Sequence, residues 1–348
     1  MKVRTAFVFD AIALAVGAAA VFVRFPPAFI ENVYANGIYA AMNRAFVPLT
    51  NAVPFAVGDA ELVVVVLTLV IAWTVRLRRT PRYRRGRAAA ALAVHTVAWA
   101  ALLLAAFEFA WGWNYRRATV VARVAYDPSR VNAASVRAFS ERIVGILNAE
   151  VGPAHAEGRV DRAKLEAAWA PIVARLGDRW DVAVTNPKTT IFQWYYDAAG
   201  IGGMYEPFSF ETYLNASFLP FEVPRALAHE WSHAAGFTDE GDANYIGTLT
   251  CLRSSDPLIR YSGAFWTYGD LPESERRRLR LDPRVRADFR AAQQRFLRHY
   301  MPQLFALQWR LYDRYLRSSG VRGGVASYGF FLRLLVGTPL DAEGLPRR

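Results

Sequence analysis

Apolar residues fall into two regimes along this chain: unbroken runs up to about residue 107, then a recurrence at helical or alternating spacing. Positions 11 to 23 are apolar, 62 to 75 read Leu-Val-Val-Val-Val-Leu-Thr-Leu-Val-Ile-Ala-Trp-Thr-Val, and 88 to 107 are interrupted only by His95 and Thr96. The third run, about 20 residues, is long enough to cross a hydrocarbon core as a helix. The first is bracketed by Asp10 and Arg24. Its rival reading is a signal peptide behind Lys2 and Arg4, but no small-residue cleavage site stands near Arg24-Phe25-Pro26-Pro27, which favours an uncleaved anchor. Between the second and third runs lies Arg76-Leu-Arg-Arg-Thr-Pro-Arg-Tyr-Arg-Arg-Gly-Arg87. Short arginine-rich loops stay in the cytoplasm. The N-terminus is then cytoplasmic, residues 25 to about 60 lie outside, and everything after the third run is exported.

Beyond the runs, 135 to 176 reads as two helices split near Gly152-Pro153, with Val136, Phe139, Ile143 and Leu147 as core positions. Residues 180 to 196 carry the β-favouring Val182, Val184, Ile191, Phe192, Trp194 and Tyr195, and 211 to 219 reads as another short strand. Gly200-Ile-Gly-Gly203 between them reads as a flexible turn. From about Glu273 the pattern is helical, and Phe289, Phe296, Leu304, Leu307, Trp309 and Tyr312 form an apolar stripe read as packing rather than a cofactor box.

The net charge of +12 over 348 residues raises the question of nucleic acid. Topology accounts for the cluster at 76 to 87, and Arg276-Arg277-Arg278-Leu-Arg280 reads as a helix surface facing solvent or lipid headgroups, so no nucleic-acid partner is expected. Cys251 is the only cysteine, which excludes an intrachain disulfide.

The strongest chemical signal is His229-Glu230-Trp231-Ser232-His233. Two histidines at i and i+4 share one helix face, as a tetrahedral zinc needs, and Glu230 stands where a general base can take a proton from water at the metal. Pro224 suits a first helical turn, and Gly236 suits a left-handed stop, so 224 to 235 reads as a short helix after which the chain turns back. A catalytic zinc with two histidines needs a third protein ligand. Residues 238 to 246 offer Asp239, Glu240 and Asp242 immediately after that turn, with Thr238 as the cap of a second helix. Glu240, Ala243, Asn244 and Gly247 share a face lined by small residues, which lets the two helices approach closely. Glu240 is thereby the expected third ligand, with Asn244 orienting a ligand from behind. Asp239 is the rival, because His-Glu-x-x-His-x-x-Gly-x-x-Asp resembles the metzincin pattern with aspartate in the last place. The plain alternative is that all three acids merely decorate a helix N-terminus.

Glu-x-x-Ala-Asn at 240 to 244 resembles the Glu-x-x-Ala-Asp ligand helix of membrane-bound gluzincins such as the CAAX prenyl endopeptidases, which puts Glu240 ahead. The wider run through Tyr205-Glu206-Pro207-Phe208, Leu219-Pro220-Phe221, His229-Glu230, Gly236-Phe237, Asp242-Ala243-Asn244 and Arg260-Tyr261-Ser262-Gly263 resembles a bacterial family of membrane-anchored proteins known only as a domain of unknown function. Val53-Pro54-Phe55-Ala56 and Trp111-Gly112-Trp113-Asn114-Tyr115-Arg116-Arg117 carry the same resemblance. It implies a zinc metallopeptidase without an assigned substrate. Two positions depart from the pattern: Asp242 stands where a glutamate is expected, and Ala56 replaces a serine.

The expected architecture is α+β and mostly helical: a membrane anchor of about three transmembrane helices over 1–114, then an exported zincin-like domain with a small sheet over 115–348. The expected activity is hydrolysis of a peptide or protein substrate in the cell envelope by a multi-pass membrane protein in contact with lipid, with zinc on His229, His233 and Glu240 and with Glu230 as base. Residues 210 to 218 are the candidate substrate-binding edge of a sheet, with a plain structural hairpin as the alternative, and Tyr261 and Tyr328 are candidate donors to the oxyanion. Two alternatives share the same residues: a membrane-anchored scaffold whose metal is structural or degenerate, and an amidase acting on envelope material. A fourth protein ligand would favour the scaffold, and three ligands beside an open groove the enzyme.

Overall fold

The computed structural model describes residues 3–319, 321 and 329–348, with side chains from residue 7 onward at the N-terminal end. Its first third is almost entirely helical. Helix α1 (Val3–Phe22) is followed by a bent second arm made of α2 (Pro27–Phe29), a π-helical stretch (Ile30–Tyr39) and α3 (Ala40–Asn51). Then come α4 (Val57–Arg79) and α5 (Arg85–Ala110). Both α4 and α5 are long and apolar enough to cross a membrane, and the pair made by α1 and the arm, bent by 101°, would supply a third span if it counts as one. In α4 only Asp59 is buried, while Val64, Leu67, Val70 and Ile71 stand exposed. An apolar helix bare on nearly every side is stable in lipid and not in water. Helix α1 packs along α5, and Asp10 and His95 meet between them at 2.6 Å.

The segment from 25 to about 60, expected as an external connection, is helical and packs on the rest of the molecule. Tyr34, Tyr39 and Val47 form one buried cluster with Trp111, Tyr205, Phe210 and Ala234.

After α5 the chain forms α6 (Ala133–Glu157) and α7 (Arg162–Arg175). The break between them falls at Gly158, whose φ is +72°, and not at Gly152-Pro153 as the sequence suggested; Pro153 is carried inside α6. Among the described residues the sheet has three short strands, β1 (Pro187–Lys188), β2 (Gly203–Glu206) and β3 (Glu211–Leu214), in the order β1-β3-β2. β1 is parallel to β3 and β2 antiparallel to it. Two expectations need correction here. Most of 180–196 is not strand, and Gln193–Ala199 is a helix, α8. Gly203, assigned to a turn, begins β2, and the strand at 211 is central rather than an edge.

The remaining helices are α9 (Val223–Ala234), α10 (Glu240–Arg253), α11 (Pro257–Asp270), α12 (Glu273–Arg278), α13 (Pro283–Leu297), α14 (Pro302–Ser318) and α15 (Phe330–Gly337). Trp169, Trp231, Leu227, Tyr245 and Ile246 centre one core, in which α7, α9 and α10 meet. Ile143, Leu147, Tyr261 and Phe265 centre a second between α6 and α11.

Candidate metal centre

Helix α9 carries the paired histidines, and its boundaries follow from local chemistry. Pro224 lies in the first turn, where its missing N–H costs nothing. At the other end Gly236 adopts φ +85°, and the N–H groups of Gly236 and Phe237 bond to the carbonyls of His233 (2.8 Å) and Ser232 (3.0 Å), a Schellman closure. That turn brings the Phe237 carbonyl under His233, where it accepts a hydrogen bond from Nδ1 at 2.8 Å. Two of the motif's inner residues face the opposite way: Trp231 donates to the Thr185 carbonyl, and Ser232 accepts from Trp169.

Helix α10 follows at once. Asp239, not Thr238, caps it, with Oδ1 accepting from Gly241 at 2.8 Å and Asp242 at 3.2 Å. Glu240, the first helical residue, points back at the histidines. Its Oε2 is 3.1 Å from Nε2 of His229 and 3.6 Å from Nε2 of His233, and the two imidazole nitrogens are 3.2 Å apart. His229, His233 and Glu240 are all buried and form a group that could hold a metal ion. Asp239 is spent on its cap and is not in that group. The close approach depends on Gly247, where a Cβ would come within 3.0 Å of the His229 backbone nitrogen, as the small-residue face of α10 suggested.

The donor chemistry fits a cation. A carbonyl can only accept, so the Phe237 bond fixes the proton of a neutral His233 on Nδ1 and leaves Nε2 as a lone pair. Two imidazole nitrogens and a carboxylate oxygen then converge. A single proton bridges two of the three, whereas a divalent ion engages them all. The three groups carry their charges unevenly. Burial lowers His229 to about 4. Burial opposes charge on His233 as well, but the Glu240 carboxylate beside it holds that ring up at about 9. Glu240 stays well below the ordinary carboxylate range despite burial, because both histidines face it.

Glu230 projects beside this group. Burial lifts its carboxyl to about 8. It lies against β2: the backbone N–H of Tyr205 bonds to it, and a Cβ on Gly203 would come within 2.6 Å of its Oε1. Only glycine leaves room there. β2 is an outer strand, so the base stands next to backbone that has one edge unpaired within the sheet.

Other expectations resolve differently. Asn244 does not reach a ligand; its Oδ1 accepts from Arg225 Nη2 at 2.6 Å, and Arg225 is a buried cation behind the site. The Tyr261 hydroxyl donates to Asp288 within the second core. Tyr328 lies outside the described residues.

Several residues shape the site in ways the sequence did not assign to them. Tyr312, from the stripe read as packing, donates its hydroxyl to Glu240 Oε1. The final carbonyls of α9 are tied by Trp111 to His233 (3.0 Å), Tyr39 to Ala234 (2.8 Å) and Arg117 to Ala235 (2.9 Å). Arg117 in turn pairs with the buried Asp178 at 2.7 Å. Asp242, the departure from the family pattern, accepts from the Val120 N–H at 2.9 Å. The aromatic-rich Trp-Gly-Trp-Asn-Tyr-Arg-Arg segment was the available signal, since its first tryptophan and second arginine make two of those ties.

No curated protein matches the chain, and no solved structure does. A family model does, over residues 34–336, from the arm of the first bend to the last helix. The chain belongs to the family described as a protein of unknown function, DUF3810.

Proposed function

We propose that the chain is a multi-pass membrane protein carrying a zincin-like, zinc-dependent peptidase site on the outer side of the bilayer, with His229, His233 and Glu240 as ligands and Glu230 as general base. The observation that carries it is the convergence of three buried donors beside a fourth, separate carboxylate that lies against an outer strand. When bound, the ion supplies Lewis acidity toward water and a carbonyl oxygen. Glu230 takes the proton of the attacking water on a carboxylate oxygen and returns it to the leaving amine. The extended substrate lies along β2, whose backbone runs past Glu230.

The outward placement rests on the arginines from 76 to 87, which cap the far end of α4 and the start of α5, while the site adjoins the opposite ends. A structural ion in a non-catalytic scaffold is the second reading, favoured by the burial of all three donors and by Tyr312 lying on Glu240. An envelope amidase would use the same groups on another substrate.

The test is metal analysis and peptide-library hydrolysis with the full chain in detergent, wild type beside Glu230→Gln. The peptidase reading expects zinc in both and cleavage only in the wild type. Zinc in both with cleavage in neither selects the scaffold, and cleavage by Glu230→Gln removes Glu230 as base.

A further inference from the structure

Helix α14 covers the metal centre from one side, and its other side is unusual. The inner face carries Tyr312 onto Glu240 and Tyr315 against Tyr115 and Phe107. The outer face exposes Leu307 (45%) and Leu311 (52%) at i and i+4, beside the exposed Arg310 and Arg314 and beside Arg317, which pairs with Asp313 at 2.7 Å. Around the helix, Arg310, Arg314 and Arg317 fill one side of this outer face and Leu307 and Leu311 the other, as in a helix lying at a bilayer interface with apolar groups among acyl chains and cations at the headgroups.

The placement of α14 fits that pattern. At one end Met301 N–H bonds to the Ala198 carbonyl of α8 at 2.9 Å, and Gln308 accepts from Tyr195 of α8 at 2.6 Å. The turn leading into α8 is fixed to the first turn of α4: Asp59 accepts from the Ile191 N–H at 2.7 Å and from the Thr190 hydroxyl at 2.9 Å. Toward its other end Tyr315 packs on Phe107, in the last turn of α5. A 17-residue helix, roughly 25 Å long, thus reaches from the place where α4 begins to the place where α5 ends. Beside α4's start, Ile191 (63%), Trp194 (64%) and Phe55 (59%) are exposed as well, and tryptophan at that level is characteristic of a membrane–water boundary.

We infer that the outer face of α14, together with Phe55, Ile191 and Trp194, is a bilayer-docking surface that lies in the headgroup layer of an anionic membrane, with the metal centre directly beneath it. The occupant is lipid because α14 is tied through α8 to the start of α4 and packs on the last turn of α5, the two helices apolar enough to cross a membrane, and because its cations are arginines beside leucines. The inference rests on the reading that α4 and α5 cross the membrane, and the experiment separates the two.

In full-length protein with Cys251→Ser, a buried position that would not itself label, single cysteines are placed by Leu307→Cys, Leu311→Cys, Val64→Cys on α4 and Arg159→Cys at the remote α6–α7 turn. Each is tagged with an environment-sensitive fluorophore in phosphatidylcholine–phosphatidylglycerol vesicles, some containing lipid with a nitroxide near the headgroup and others with one near the chain end. The expected result is strong quenching of 307 and 311 by the shallow nitroxide, of 64 by the deep one, and of 159 by neither. If 64 is quenched while 307 and 311 behave like 159, the docking surface is refuted and the spanning reading stands. If 64 is also unquenched, the spanning reading fails. A blue-shifted but unquenched signal at 307 and 311 would mark contact with a second copy of the chain and overturn the lipid assignment.

Discussion

The Tyr312 hydroxyl donates to Oε1 of Glu240, across 72 positions of sequence, and leaves Oε2 turned to the two histidines. A carboxylate held in this way presents one oxygen to the cluster in a fixed orientation. Partners of this kind are worth about 10- to 100-fold in metal affinity. Tyr312→Phe should therefore weaken zinc binding by about 10-fold while leaving the helical circular-dichroism spectrum unchanged. Competition with a chromophoric chelator measures this, and an unchanged affinity would show that Glu240 is positioned by packing alone.

Asp239 and Glu240 are adjacent and have different tasks. The first accepts two backbone N–H groups at the start of α10, and the second faces the histidines. Glu240→Ala should remove the metal. Asp239→Ala should keep it and cost about 1 kcal/mol of stability through the lost cap. Metal content beside thermal unfolding separates them, and a metal-free Asp239→Ala protein would reverse the roles.

This pair also marks how far the sequence could be read. The paired histidines, the glycine stop after α9, the small-residue face of α10 and the later two apolar spans were legible, because each rests on spacing within a few residues. The sheet order was not, since β2 and β3 are assigned to edge and centre by the pairing of β1 to β3, a non-local event. Ile191, Phe192, Trp194 and Tyr195 read as strand by propensity, but Asp59 of α4 holds the Ile191 N–H, and the chain winds into α8 instead. Tyr312 looked like one more member of an apolar stripe, because only its ring belongs there. Its hydroxyl works on a residue no spacing rule connects to it.

Asp242 is buried with its carboxylate on the Val120 N–H, and burial together with Asp239 raises it from 3.8 to about 8. The folded state therefore holds a proton that the unfolded chain has already released above about pH 4. By linkage this favourable contribution is full below that value, shrinks as pH climbs and is gone once pH passes about 8. Asp242→Asn keeps an acceptor for Val120 and cannot ionise. Its unfolding midpoint relative to wild type should rise steadily between pH 5 and pH 8. Parallel profiles for the two proteins would show that Asp242 is already ionised in the fold.

Ala56 occupies the N-cap of α4, with an extended ψ of 107° and no side chain to accept from the helix's free N–H groups. Serine at an N-cap accepts from the N–H two or three residues on. Gly58 N–H is already bonded to Glu211 Oε2 at 3.1 Å, which leaves the Asp59 N–H as the natural partner. The position is buried near Tyr196 and Tyr213, so an added hydroxyl must make that bond to repay its desolvation. Ala56→Ser should then raise stability by about 0.5–1 kcal/mol, read as a higher unfolding temperature of the full chain in detergent. Ala56→Val, which adds bulk without an acceptor, should lower it. If serine and valine shift the transition alike, the position is governed by space, and the cap assigned to it is wrong.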